Sequence, residues 1–176
     1  MLISERVDKA IRTIPDFPEK GIMFKDITPI LENASLSCDI VDELVKQCEG
    51  VRVDAVAGVE SRGFLFGFSM AMKLGVPFVM IRKKGKLPAK TISHKYDLEY
   101  GSAEIEMHID SIEEGMHVLI HDDLLATGGT AAAAAELIKK SGGRVSGFSF
   151  VVELEFLKGK EELNKYSEFN KSIVNY

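Results

Sequence analysis

The sequence lacks several features that would assign it to particular protein classes. No apolar run approaches the roughly 18 residues of a transmembrane helix. Residues 1–12 alternate charged with apolar side chains instead of forming the apolar core of a signal peptide. Cysteine is scarce, and we predict that Cys38 and Cys48 lie on one helix roughly 15 Å apart, too far for a disulfide. We therefore expect a cytosolic protein with reduced thiols.

Internal repeats, low-complexity linkers and a basic helix-turn-helix are also missing from the sequence. A net charge of -5 argues against a general nucleic-acid surface, and we expect neither a nucleic acid nor a membrane as partner. The chain has 176 residues, of which 45% are hydrophobic and 28% charged. These proportions predict a single globular domain over residues 1–176.

Short apolar runs alternate with helical patterns along the chain. The runs at 55–59, 78–81, 118–120 and 148–152 are typical of strands that are buried on both faces of a parallel sheet. Helical spacing of apolar residues appears at 7–14, where Ile14 is the last member before Pro15, and again at 36–48, 64–74 and 131–140. Alternating apolar residues at 103–109 predict an antiparallel strand with one solvent-exposed face. The pattern is that of an α/β fold with a mostly parallel sheet flanked by helices.

The most informative segment is 118–130, in which an apolar run leads into two acids and a loop of small residues. Backbone N–H groups of such a loop can converge on phosphate oxygens, and the positive end of the following helix points to the same place. Asp122 and Asp123 suit the neutral hydroxyls of an adjoining ribose. No lysine follows the glycines, so this is not a Walker loop. We expect a sugar phosphate on Ala126, Thr127, Gly128, Gly129 and Thr130.

Two further segments carry groups that suit a diphosphate. The loop Glu60-Ser61-Arg62-Gly63 follows the buried run at 55–59, and the Arg62 guanidinium can hold a diphosphate through two hydrogen bonds. Residues 82–95 contain six Lys or Arg and no acid. We interpret this stretch as a mobile lid whose cations repel one another until pyrophosphate is bound. A solvent-exposed linker is the alternative.

These motifs resemble those of the type I phosphoribosyltransferases, and most closely those of the adenine-specific members. Segments at 15–18, 21–29, 61–67, 81–88, 96–101 and 152–159 carry the resemblance in the same order, so that it covers about residue 15 to about 163. It implies a twisted, mostly parallel sheet with a flexible lid hairpin and a small hood. It also implies transfer of the phosphoribosyl group of phosphoribosyl pyrophosphate to adenine, which gives AMP and pyrophosphate.

The resemblance implies a role for each motif. Asp122 and Asp123 would bind the ribose hydroxyls, and the loop at 126–130 the 5-phosphate. The pyrophosphate ligands would be Glu60, Ser61, Arg62, Arg82 and Lys86, with a strained or cis peptide at Glu60-Ser61. Adenine would be bound by Met23, Phe24, Lys25 and Leu154. The catalytic residues would be Arg62, Glu99, which takes or holds the proton of the base, and Tyr100, which packs over the ribose.

The resemblance also implies Mg²⁺, held mainly through substrate oxygens without direct protein ligands, and a homodimer. His121 departs from the family pattern, in which this strand position is usually apolar. Two other functions stay open at this point. A 6-oxopurine phosphoribosyltransferase would need a side-chain donor, often lysine, near 148–154, where none is evident. A regulator would keep the sugar-phosphate loop only to sense its ligand.

Overall fold

The computed structural model describes residues 1–97 and 101–176. Within these ranges the helices are α1 (Ile3–Ala10), α2 (Thr28–Leu31), α3 (Ala34–Gln47), α4 (Gly63–Leu74), α5 (Gly129–Lys140) and α6 (Gly159–Leu163). The strands are β1 (Arg12–Pro15), β2 (Met23–Asp26), β3 (Ala55–Val59), β4 (Phe78–Lys83), β5 (Thr91–Asp97), β6 (Ser102–His108), β7 (His117–Leu125), β8 (Arg144–Glu153) and β9 (Asn170–Asn175). A 3-10 turn, Glu155–Leu157, follows β8.

The main sheet has the strand order β5-β6-β4-β3-β7-β8-β9. Strands β4, β3, β7, β8 and β9 are parallel. Strands β5 and β6 form an antiparallel hairpin, and β6 also pairs with β4 in the antiparallel sense. The mostly parallel sheet is therefore confirmed. Because parallel strands end at the same edge of a sheet, the segments that follow β3, β4, β7 and β8 come together there.

Both faces of the sheet are buried, as the apolar runs predict. All residues of β3 are buried, and Ala55 and Ala57 face a core cluster that includes the alanines of α5. Val56 faces a second cluster, to which α1, α3 and α4 contribute. Strand β7 is divided in the same way, with Ile120 in the first cluster and Leu119 in the second. Strands with helices over both faces need no polar side, which explains their unbroken apolar sequence.

Two local predictions are wrong. Helix α1 ends at Ala10, and Ile14 lies in β1, where it pairs with Phe24 of β2 instead of extending the helix. The predicted antiparallel strand is found as β6, but its polar face is only partly exposed, since Glu106 is 3% exposed. Ile109, counted in the alternation, lies outside the strand and is 58% exposed. In both places contacts with a distant segment override the local pattern.

Strands β1 and β2 form a separate two-stranded sheet, which corresponds to the predicted small hood. In the described ranges the outer edge of β2 has no strand partner. Cys38 lies in α3 and Cys48 directly after it, and both are free thiols. Among the helices described, none combines the length and the apolar character needed to cross a membrane.

Candidate active site

Most of the predicted site residues meet at the carboxyl edge of the parallel strands. A cavity of about 240 Å³ lies there, between the loop after β3 and the end of β7. Its walls contain six of the predicted site residues, namely Glu60, Ser61, Arg62, Asp122, Asp123 and Thr130. Lys83, Tyr96 and Ile105 line it as well. The sequence motifs at 60–62 and 122–130 therefore form one site.

The two acids lie within β7, which continues beyond the predicted end at Ile120. Asp123 is buried, and its Oδ2 accepts a hydrogen bond from Arg62 Nε at 2.6 Å. Asp122 Oδ1 accepts the backbone N–H of Asp123 at 2.8 Å. Burial raises the pKa of Asp122 well above its usual range, and the negative charge of Asp123 raises it further. The site therefore holds an ion pair between a buried carboxylate and a half-exposed guanidinium and, beside it, a carboxyl group that favours its neutral form.

The predicted phosphate loop lines a smaller cavity of about 80 Å³ that shares Asp122 and Thr130 with the first. Gly128 has φ +86°, and α5 begins at the next residue. A Cβ atom on Gly128 would lie 2.8 Å from the Gly159 carbonyl oxygen. A Cβ atom on Gly159 would lie 2.3 Å from the Ala126 carbonyl oxygen. The backbone of Gly159 thus packs against one side of the loop. The other side opens toward the cavity at the N-terminus of α5, where an anion is favoured.

The loop after β3 contains the predicted cis peptide, between Glu60 and Ser61. Glu60 accepts hydrogen bonds from Arg82 Nε at 3.1 Å and from the Lys83 backbone N–H at 2.9 Å. Burial acts to raise the pKa of Glu60, but the hydrogen bonds from Arg82 and Lys83 outweigh it and lower the pKa overall. A Cβ atom on Gly63, where α4 begins, would lie 2.8 Å from the His121 carbonyl oxygen. Glycine therefore lets this loop approach β7 closely.

The cationic stretch at 82–95 runs from the end of β4 through a turn into β5, the first strand of the hairpin with β6. Its last part belongs to β5, a strand of the main sheet, so the stretch is not a solvent-exposed linker. Two of its six cations pair with acids of other segments, Arg82 with Glu60 and Lys84 with Glu104. The acids that balance the stretch come from β6 and from the loop after β3. Lys86 is exposed in the turn between β4 and β5.

The predicted base-reading residues lie on the hood and at the end of β8. The Phe24 ring is 5.7 Å from the guanidinium carbon of Arg62, which brings the hood next to the cavity. Met23 is 56% exposed, and the Lys25 ammonium lies 3.6 Å from the centroid of the Tyr176 ring. Leu154 directly follows β8, and its N–H binds the Leu125 carbonyl oxygen at 2.9 Å. The predicted catalytic residues Glu99 and Tyr100 lie outside the described residues.

Comparison with known proteins agrees with this arrangement. The phosphoribosyl transferase domain family matches residues 29–173. The adenine phosphoribosyltransferase of Cytophaga hutchinsonii is 50% identical over 175 residues, which are 99% of this chain and 97% of the relative. The chain belongs to the adenine phosphoribosyltransferase family.

Solved structures of adenine phosphoribosyltransferases share the fold. The crystal structure from Thermoanaerobacter pseudethanolicus has a TM-score of 0.94 at 48% identity. The match covers 98% of this chain and 99% of the Thermoanaerobacter chain. The Saccharomyces cerevisiae enzyme, crystallised with adenine and an imino-altritol bisphosphate, has a TM-score of 0.90 at 39% identity. The match covers 97% of this chain and 98% of the yeast chain. The predicted type I phosphoribosyltransferase fold is therefore confirmed.

Sequence reasoning missed two residues of this adenine phosphoribosyltransferase site. The Tyr96 hydroxyl lies 3.2 Å from the Thr130 hydroxyl, so β5 contacts the phosphate loop directly. Glu106 is buried under the turn that carries Lys86. Neither residue is marked by a local pattern. The absence of acids from 82–95 was the one available signal, because a cationic turn packed on a sheet needs a countercharge from elsewhere.

His121 is fully buried in β7. Its Nδ1 lies 3.4 Å from the Ser149 hydroxyl, and its Nε2 has no hydrogen-bond partner among the described residues. Burial lowers the pKa of this imidazole to about 3. The ring is therefore neutral near pH 7.

Proposed function

We propose that this protein forms AMP and pyrophosphate from adenine and phosphoribosyl pyrophosphate, a reaction of purine salvage. One observation carries the proposal: the acids of β7, the cation of the loop after β3 and the loop at the N-terminus of α5 line two cavities that share Asp122 and Thr130. A ribose 5-phosphate has hydroxyls for the acids and a dianion for the helix terminus. A pyrophosphate on C1 would then lie toward Arg62 and Arg82.

The reaction breaks the bond between ribose C1 and a pyrophosphate oxygen and forms a bond between C1 and adenine N9, which loses its proton. We expect the first bond to break ahead of the second, through an oxocarbenium-like state comparable to that of glycoside hydrolysis. Stabilising the leaving diphosphate is then the main task of the protein. We assign it to Arg62, Arg82 and Lys86, with Glu60 and Ser61 completing the pyrophosphate loop.

Adenine specificity is proposed to come from the hood. Met23 and Lys25 are two residues apart on β2, so their backbone groups point to the same edge of the strand. Such an edge offers a fixed set of donors and acceptors that suits an amino purine and leaves groups unpaired against an oxo purine. We place the base between Phe24 and Leu154. Glu99 and Tyr100 keep their predicted roles at the proton of the base and over the ribose.

Mg²⁺ is the proposed cofactor. The cavity offers carboxylate oxygens from Asp122, Asp123 and Glu60, which are the ligand type that Mg²⁺ prefers. In the described ranges no group of three or more His, Cys, Asp or Glu could hold a metal by itself. The ion would therefore take most of its ligands from the oxygens of the donor substrate. When bound, it would neutralise charge on the diphosphate.

A homodimer is proposed to form through one face of α4. Leu65, Phe68 and Met72 follow helical spacing on this face and are 46%, 53% and 68% exposed. A contiguous apolar face of this kind is typical of an interaction surface. Helix α4 begins directly after Arg62, so a partner subunit on this face would lie beside the pyrophosphate loop. Leu65→Glu should shift the sedimentation coefficient from dimer to monomer, and a wild-type monomer would contradict the proposal.

We further propose that residues 1–176 form one domain that works in the cytosol. Both core clusters pack on the same sheet, which supports a single folding unit. The two free thiols suit a reducing compartment. A single cooperative unfolding transition, observed at the same denaturant concentration by two probes, would support one domain.

One assay tests the proposed function. Purified protein is incubated with phosphoribosyl pyrophosphate, Mg²⁺ and one purine base, and the nucleotide is quantified with and without EDTA. We expect AMP from adenine, and hypoxanthine or guanine slower by up to roughly 10⁴-fold, since a mismatched hydrogen-bonding edge leaves buried groups unpaired. Comparable turnover of an oxo purine would indicate the 6-oxopurine enzyme. Thermal stabilisation by the donor without any nucleotide product would indicate a regulator.

A further inference from the structure

A buried carboxylate that has no part in the proposed chemistry lies under the pyrophosphate-binding cations. Glu106 is in the middle of β6 and is 3% exposed. One carboxylate oxygen, Oε1, accepts the backbone N–H groups of Lys86 and Leu87, each at 3.0 Å. The other oxygen, Oε2, accepts the Thr91 hydroxyl at 3.1 Å. The carboxylate therefore binds the turn between β4 and β5 at both of its sides.

The same turn is connected to Arg82. The Lys86 backbone N–H binds Glu106, and the Lys86 carbonyl oxygen accepts a hydrogen bond from Arg82 NH1 at 3.0 Å. Two other guanidinium nitrogens of Arg82, Nε and NH2, bind Glu60 at 3.1 and 3.3 Å. Of the five N–H donors of a guanidinium, these three bonds leave two for a ligand. The direction of those two donors depends on where the Lys86 peptide is held.

We infer that Glu106 is a positioning residue for pyrophosphate recognition, acting through the peptide of Lys86 on the Arg82 guanidinium. Glu106 touches no substrate in this scheme. It holds the turn so that the Lys86 side chain and the free donors of Arg82 face the same diphosphate. The inference rests on the proposed function, since it assigns Arg82 and Lys86 to the pyrophosphate.

The electrostatics of the turn favour an ionised Glu106. Burial acts to raise the pKa of this carboxyl group, but hydrogen bonds from Leu87, Thr91 and Lys86 outweigh it and lower the pKa overall. A carboxylate that accepts several N–H bonds is stabilised in its charged form. It also places a negative charge beneath a turn that carries Lys84 and Lys86. Glu106 thus holds the cations together before any diphosphate is bound.

Two substitutions at Glu106 separate positioning from general destabilisation. Glu106→Ala removes both acceptors of the turn, and we expect the Kd for Mg²⁺-pyrophosphate to rise about 10-fold. Glu106→Gln keeps an amide oxygen for the two backbone N–H groups, and we expect a rise of about threefold. Neither variant should change the Kd for AMP, which carries the 5-phosphate and the base but no pyrophosphate. Both constants are measured by isothermal titration calorimetry.

Glu104→Gln is the matched control. Glu104 is on the same strand and the same face, two residues earlier, and among the described residues its side chain binds only the side chains of Lys84 and Ser93. We expect wild-type pyrophosphate and AMP affinities for this variant. A pyrophosphate affinity that falls as much in Glu104→Gln as in Glu106→Gln would overturn the inference, because loss of charge alone would then explain both.

The remaining outcomes are also decisive. Wild-type pyrophosphate affinity in a folded Glu106→Ala variant would overturn the inference, and so would an equal loss of AMP and pyrophosphate affinity. If Glu106→Ala does not fold, unchanged pyrophosphate affinity in Glu106→Gln overturns it. Failure of the proposed function is seen separately, as a wild-type protein that binds Mg²⁺-pyrophosphate but forms no AMP. The two ideas therefore fail in different measurements.

Discussion

Arg62 Nε lies 2.6 Å from Asp123 Oδ2, so a cation predicted for pyrophosphate is bound to a carboxylate predicted for the ribose. The two residues lie 61 positions apart in the sequence. The Arg62 side chain is 48% exposed and the Asp123 side chain 6%. The acid is thus the fixed member of the pair and the guanidinium the more accessible one. A bound donor substrate would offer each group a new partner, and the pair keeps both charges compensated until then.

The first prediction concerns the acids. Asp123→Asn should raise the Kd of phosphoribosyl pyrophosphate at least about tenfold, because charge-assisted hydrogen bonds to the ribose hydroxyls would be weakened. Asp122→Asn should raise it less, because burial already favours the neutral form of Asp122. Adenine affinity should change much less. Asp110→Asn, an exposed position after β6, serves as the control. Unchanged donor affinity in both site variants would show that the acids have another role.

The second prediction concerns the contact between β5 and the phosphate loop. Tyr96→Phe removes the hydroxyl that lies 3.2 Å from the Thr130 hydroxyl, and the KM for the donor should rise about two- to tenfold. The KM for adenine should stay the same. The double variant with Thr130→Val should be no worse than Thr130→Val alone, since the two changes remove one shared interaction. Additive effects on the donor KM would argue against this coupling.

The third prediction concerns how the hood is held. The Tyr176 ring lies under the Lys25 ammonium, and the Tyr176 hydroxyl donates to Asp8 at 2.5 Å. Tyr176→Leu removes the ring, and the KM for adenine should rise about threefold while the donor KM stays the same. Tyr176→Phe keeps the ring and should leave the adenine KM near wild type. Equal adenine KM values in the wild type and Tyr176→Leu would show that this contact does not support the hood.

The fourth prediction is a loss of stability in acid. The pKa of His121 is about 3 in the folded protein and 6.5 for an ordinary histidine, so the unfolded chain binds an extra proton between these values. Stability therefore falls as the pH drops below 6.5, by about 1.4 kcal/mol per pH unit and about 2 kcal/mol by pH 5. His121→Leu should remove this contribution. Urea unfolding at pH 7.5 and pH 5 measures it, and identical pH dependence in both proteins would contradict the assignment.

Local sequence patterns predict most of the parallel sheet and half of the site. Strand β3 is found where its apolar run predicts it, because burial on both faces leaves an unmistakable pattern. The segment from Asp122 to Thr130 lines the cavities as expected, since the acids and the loop follow one another in the chain. Structural features that are formed by consecutive residues can therefore be predicted from the sequence.

The rest depends on contacts between distant segments. Glu106 follows an alternation that predicts exposure, and only the turn folded over β6 buries it. Ile14 continues a helical pattern, but pairing with β2 places it in a strand. Likewise, the acids that balance the cations of 82–95 come from outside that stretch. Local propensity cannot predict contacts between residues that are distant in the sequence.

The packing of Gly128 against Gly159 restricts which residues can occupy either position. A Cβ atom on Gly128 would lie within 3 Å of the Gly159 carbonyl oxygen, and a Cβ atom on Gly159 would lie within 3 Å of the Ala126 carbonyl oxygen. A side chain at either position would push the phosphate loop out of place, and no second substitution could relieve a clash with backbone atoms. In a library of all single substitutions selected for growth on adenine, both positions should tolerate glycine alone.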